Sequence, residues 1–150
     1  MSQPRWKDGS RGMLTVCGLF AGFTGVVLVN LIIHIVGDSK VPQEVSFFSA
    51  SIFLAGIALW LFAFAAERIT DALDEDNVRI YFWSMFYFNV GVIFLFASIA
   101  CLLFNYSWNI LAIFSLIATI KPWGIDVCWF LFSGKESRAK YVAGLQSAGS

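Results

Sequence analysis

Charge is scarce in this sequence. Lys, Arg, Asp and Glu make up 13% of its 150 residues, about half the share found in soluble domains, which is roughly 25%. Ten cations balance ten anions, so no basic excess points to nucleic acid. Cysteine and histidine are scarce as well. Cys17, Cys101 and Cys128 all lie within apolar stretches, without a CxxC or a zinc-type spacing, and read as small packed or lipid-facing side chains. His34 is the only histidine; a metal site needs several ligands, and one chain with one histidine cannot supply a bis-histidine haem. HExxH, GxSxG and glycine-rich phosphate loops are absent, and no nucleophile has an obvious base. No enzyme activity, metal or cofactor is therefore expected.

What the sequence does contain is apolar length. Hydrophobic residues make up 59%, aromatic residues 17%, and mean hydropathy is +0.75. Four apolar runs stand out, at about 12–36, 45–69, 80–104 and 108–133. A 25-residue helix rises about 37 Å, enough to cross a bilayer with some tilt. The first run is too long for a signal-peptide core and ends without a cleavage pattern, so it reads as an uncleaved crossing. The expected fold is an all-α membrane protein: a four-helix transmembrane bundle, up-down-up-down, forming one domain with short tails. Localisation follows as a multi-pass membrane protein of the plasma or inner membrane.

Basic residues set the orientation. The N-terminal tail, the loop between the second and third runs and the C-terminal tail carry three, two and three of them, while the opposite side has only Lys40. Eight against one is a strong positive-inside bias, which places both termini in the cytoplasm. The turn from Gly37 to Glu44 is short and polar and contains Pro42. The tail from Gly134 to Ser150 is small and polar and reads as frayed.

Several features within this frame bear on function. Gly18, Gly22 and Gly25 lie on the first helix with small-xxx-small spacing, which lets backbones approach closely in lipid. Asn30 and His34 are four apart and share a face, within hydrogen-bonding reach. The segment Glu67 to Arg79 is the most charged, and Asp71, Asp74, Glu75 and Asp76 are candidates for contact with a partner, although their spacing is not that of an EF-hand. A faint duplication links WLFAFAAER with WFLFSGKESR, and GVVL with GVIF; within each half the two motifs start 35 and 38 residues apart. If it is real, two parallel helical hairpins follow.

The last run is the most informative. Residues 109–133 are long enough to cross, yet they contain Lys121, Pro122 and Asp126. A charged residue at mid-membrane costs about 2.5–3.5 kcal/mol on insertion scales and marks a functional site by default. Pro122 predicts a kink beside Gly124, with a re-entrant hairpin at KPWG as the alternative. Counted from the inner ends, Asp126, Asn89 and Lys121 lie roughly 10, 14 and 18 Å deep, so the three form a candidate intramembrane polar site. Three arrangements are open: a structural Lys121–Asp126 pair, a wet translocation path, or separate snorkelling.

The bilayer is the first partner. With little outside it, the chain is expected to work by association, as a homo-oligomer or as a subunit of a hetero-complex. The leading expectation is an oligomeric scaffold or accessory subunit. The alternative is an oligomeric channel or transporter that uses the polar site in the third and fourth helices. The orientation is open to direct measurement. In a background whose native cysteines are replaced by alanine, Ser2→Cys and Ser150→Cys should resist a membrane-impermeant maleimide in intact cells, and Lys40→Cys should react. Tails labelled on opposite sides would break the four-crossing scheme.

Overall fold

A computed structural model of the protein describes residues 5–37 and 47–147, with the side chains of residues 6–34 and 47–147. The described residues are almost entirely helical: α1 (Arg5–Gly37), α2 (Phe47–Asp74), α3 (Val78–Asn105), α4 (Asn109–Thr119), α5 (Ile125–Phe132) and α6 (Lys135–Ser147). A single π turn, Ile120–Gly124, joins α4 to α5. Four segments are long and apolar enough to cross a membrane: Trp6–His34, Phe47–Asp74, Val78–Asn105 and Asn109–Phe132. This is the make-up of a multi-pass membrane protein. The polar turn expected between Gly37 and Glu44 lies, beyond Gly37, outside the described residues.

Local chemistry sets the helix ends. At the α2–α3 turn, Asp76 adopts φ 51° and the Asn77 amide donates to the Ala72 carbonyl at 2.9 Å. That six-to-one bond across a left-handed residue is a Schellman stop. Asn77 then caps α3, its side-chain oxygen accepting from the Arg79 amide at 3.0 Å. The same device ends α3: Ser107 has φ 60°, and the Trp108 amide donates to the Leu103 carbonyl at 2.9 Å. Two short turns between antiparallel helices leave few backbone groups to satisfy in or near lipid.

The core is built at the contact of α1, α2 and α3. Phe20, Phe62 and Phe88, one from each helix, form a triangle with ring centroids 5.3, 5.5 and 5.6 Å apart. Cys17, Ala58, Ala65, Ile69, Val92 and Leu95 pack around it. The α2–α3 contact is the most extensive in the molecule, and small residues make it possible. At Gly91, an added Cβ would lie 2.9 Å from Phe62 Cε1 and 3.3 Å from Leu61 Cβ. Farther along, Ser51 and Ser98 exchange bonds: each hydroxyl donates to the other's backbone carbonyl, at 2.9 and 2.7 Å. Both serines are buried.

The glycines expected to allow close packing, with a partner in this chain or another, meet little within this chain. Gly18 and Gly22 have nothing within 4 Å of an added Cβ, and Gly25 meets only Leu59 Cδ1 at 4.0 Å. Within the chain, close approach is made through Gly91 and not through α1. The possible duplication gains nothing from the packing, since the dominant contact joins α2 to α3, across the boundary between its two halves.

The fourth crossing packs on α3, with Trp123 stacked near Phe96 (6.2 Å, 25°) and Phe130 against Phe82 (4.6 Å). The chain continues through KPWG as one helical segment, long and apolar enough to cross a membrane, and does not double back there as a hairpin. Pro122 lacks a donor and its ring would crowd the preceding turn of an α-helix; the wider π turn absorbs both effects.

The tail differs from the frayed segment expected. Lys135–Ser147 is helical, because Val142 and Leu145, three apart on one face, pack on a second cluster of Trp6, Ala72 and Val78. Lys7 Nζ also reaches Asp76 Oδ1 at 2.9 Å. The start of α1, the α2–α3 turn and α6 therefore lie together at one end of the molecule. Helix α1 begins at Arg5, earlier than Gly12, because Trp6 has this cluster to bury in.

The two glycine environments make contrasting predictions. Gly91→Leu should destabilise the fold by about 1–3 kcal/mol through overpacking against Phe62, whereas Gly18→Leu should leave the monomer within about 0.5 kcal/mol. Reversible unfolding in mixed micelles measures both; equal effects would contradict the packing.

Candidate functional site

Asn89 points to the site. It lies on α3 and is 6% exposed, yet among the described residues its side-chain amide has no hydrogen-bond partner. The amide atoms are not sealed away; they open onto the space beside them, where a polar guest can pair with them. Asn89 faces a groove of about 450 Å³ between α3, α5 and α6, shared with Met85, Asp126, Trp129, Tyr141 and Leu145.

The last crossing places Asp126 there by register. Phe130 packs on Phe82 and Phe86, and Asp126, one turn earlier on α5, borders the same groove as Asn89. The expectation that these two residues share a layer describes the groove. Tyr141 was not anticipated; it enters through α6, and its rings contact are Phe82 at 5.6 Å and Trp129 at 5.4 Å. The signal that could have found it is the apolar spacing of Val142 and Leu145, which makes a helix of the tail.

Lys121 stands apart. It sits on the π turn, is exposed, and does not line the groove. Among the described residues no ion pair joins it to Asp126. Five positions along an α-helix are about 140° apart in rotation, and the π turn does not bring the two charges together. The expected structural pair is thus not formed within one chain. Both charges remain on the outward surface of a crossing whose apolar window is only 11% buried, against 39% for α3.

The other candidates are partly occupied. Asp76 is held by Lys7 at 2.9 Å and Asp71 by Arg68 at 3.4 Å, while Asp74 and Glu75 are exposed and outside any ion pair among the described residues. Asn30 donates to the Val26 carbonyl at 2.9 Å, not to His34; the His34 ring lies 5.6 Å from that of Phe48.

Chemically, the groove offers one carboxylate, one amide and the two tyrosines Tyr81 and Tyr141, lined otherwise by Phe82, Trp129, Phe130, Met85 and Leu145. The Asp126 carboxyl can accept hydrogen bonds from a polar guest; among the described residues that line the groove there is no second carboxylate, histidine or lysine. Comparisons with protein-family models, curated proteins and solved structures find no match.

If the Asn89 amide is unsatisfied in the single chain, Asn89→Leu should hold or raise stability in detergent, by up to about 1 kcal/mol. Thermal unfolding of monodisperse protein measures this, and a clear loss would mean that the amide has a partner.

Proposed function

We propose that this chain is a small integral membrane component that works by assembly, as an oligomeric scaffold or accessory subunit of a membrane complex. Both termini face the cytoplasm and the four crossings alternate in direction. The orientation rests on the eight-to-one distribution of basic residues. The contact of the start of α1 with the α2–α3 turn and α6 is consistent with it.

One observation carries the assembly reading. Lys121 lies at the centre of the last crossing, exposed and without a counter-charge among the described residues. Lipid cannot supply one at that depth, and intramembrane charges face protein or water. Asp126, on the same crossing and about one and a half turns nearer the inner end, is the matching anion. In a ring of identical chains, Lys121 of one copy reaches Asp126 of the next, a head-to-tail contact repeated until the ring closes. The open Gly18 and Gly22 face of α1 suits the same role, since α1 and the last crossing flank the α2–α3 pair. Asp74 and Glu75 remain free for a cytoplasmic partner.

A second reading, an oligomeric channel or transporter, draws on Asn89, whose amide opens onto the groove that also holds Asp126. Proteoliposomes of wild type that pass no ion or small solute would remove it.

Native mass spectrometry in mild detergent tests the assembly. Wild type should be a multimer. Lys121→Leu and Asp126→Leu should each weaken it at least tenfold, about 1.4 kcal/mol, and the exchange Lys121→Asp with Asp126→Lys should restore it. A wild-type chain that stays monomeric at all protein-to-detergent ratios defeats the proposal.

A further inference from the structure

A second groove, of about 580 Å³, lies where the first turns of α3 and α6 meet, and its lining is cationic. Arg79, Lys135 and Arg138 all border it, together with Phe82, Trp83 and Gln146, and no carboxylate does. The ion pairs of the described residues are Lys7–Asp76, Arg68–Asp71 and Lys140–Glu136, so these three cations have no counter-charge among the described residues. The Arg138 guanidinium lies 5.6 Å from the centre of the Trp83 ring, and its Nε is buried without a hydrogen-bond partner. Three like charges held around one recess repel one another, and a buried guanidinium donor left unpaired adds to that cost. An anion with several oxygens relieves both.

The place of the groove in the fold narrows the choice of anion. Lys135 opens α6, three residues after α5 ends at Phe132, and Arg79 is the second residue of α3. Both stand where the apolar crossings give way to polar chain, at headgroup level. Trp83, one turn into α3, is the kind of ring found at that interface. The N-terminus of α6, a helix of 13 residues, adds its positive dipole end. A smaller recess of about 260 Å³ shares Arg79 and Trp83 and is lined otherwise by Phe64, Arg68 and Tyr87 among others, continuing the cationic and aromatic edge toward α2. Guanidinium forks bind phosphate oxygens in pairs, and basic pockets at the membrane edge bind anionic headgroups.

We infer that the groove formed by Arg79, Lys135 and Arg138 over Trp83 binds the phosphate headgroup of an anionic lipid in the leaflet next to α6. The site needs the chain to span a membrane but not to assemble, so a monomer that retains anionic lipid upholds it. Arginine charge-neutralisation and lipid choice test it on the full chain, by native mass spectrometry in detergent with added phosphatidylglycerol or phosphatidylcholine. Wild type should retain phosphatidylglycerol at least tenfold better than phosphatidylcholine. The triple variant Arg79→Gln, Lys135→Gln, Arg138→Gln should lose that preference, whereas Arg79→Lys with Arg138→Lys and the control Lys140→Gln should keep it. Should the triple variant not fold, the exposed single change Lys135→Gln should lower the preference by about threefold. Equal retention of the two lipids by wild type, or an unchanged preference in a folded triple or single variant, overturns the site. Displacement of bound lipid by millimolar inorganic phosphate, without any preference between the lipids, assigns the groove to soluble phosphate and likewise overturns the lipid reading.

Discussion

The ring of Phe62 rests against the bare backbone of Gly91, and the rest of the molecule is arranged around that contact. In lipid there is no hydrophobic force to drive helices together, since acyl chains are as apolar as leucine; close packing and interhelical hydrogen bonds must do it. Gly91 permits the approach of α2 and α3, the fully buried Ala58 and Ala65 keep α2 narrow, and Ser51 with Ser98 closes the far end by reciprocal hydrogen bonds. Helix α1 joins by placing Phe20 between Phe62 and Phe88. The fourth crossing comes last and rests on the outer side of α3.

The polar groups divide according to that order of packing. Ser51 and Ser98, inside the α2–α3 contact, satisfy one another. Thr24 and Thr119 each donate to the carbonyl four residues earlier on their own helix, both at 2.7 Å, which a helix can provide without a neighbour. Among the described residues, Asn89, Lys121 and Asp126 have neither kind of partner. They lie on or beside the least covered crossing, so their unmet bonds fall where a further chain or a polar guest would sit. That coincidence is what ties the proposed assembly to the groove.

At the other end, charge and aromatic rings share one small region. Trp6, Lys7, Tyr81, Trp83, Arg138 and Tyr141 bring together parts of the chain far apart in sequence. The contact of Lys7 with Asp76 and the cluster under α6 hold this end, and they leave Arg79, Lys135 and Arg138 around a recess without an anion. Three of the eight basic residues on which the proposed orientation rests are thus gathered into one place by the fold.

Four crossings were legible from the residues, because apolar length reports membrane helices directly and the two turns carry Asp, Asn and Ser where the chain reverses. Asn89 and Asp126 could be placed in one layer from helical rise alone, since depth is linear in residue number. Rotation is not linear in that way. Whether Gly18 or Gly91 meets a neighbour, whether Lys121 turns toward Asp126 or away, and whether Ser51 finds Ser98 all depend on the azimuth of each helix, which is set by the partner's side chains. Helix α6 was hidden for a related reason: two apolar residues cannot announce an amphipathic helix until Trp6 and Val78 supply the surface that buries them. Apolar length along the chain was enough to read four helices able to cross a membrane and the spacing of the polar residues along them; which of those residues face one another came only from the packed helices, because packing alone fixes rotation about a helix axis.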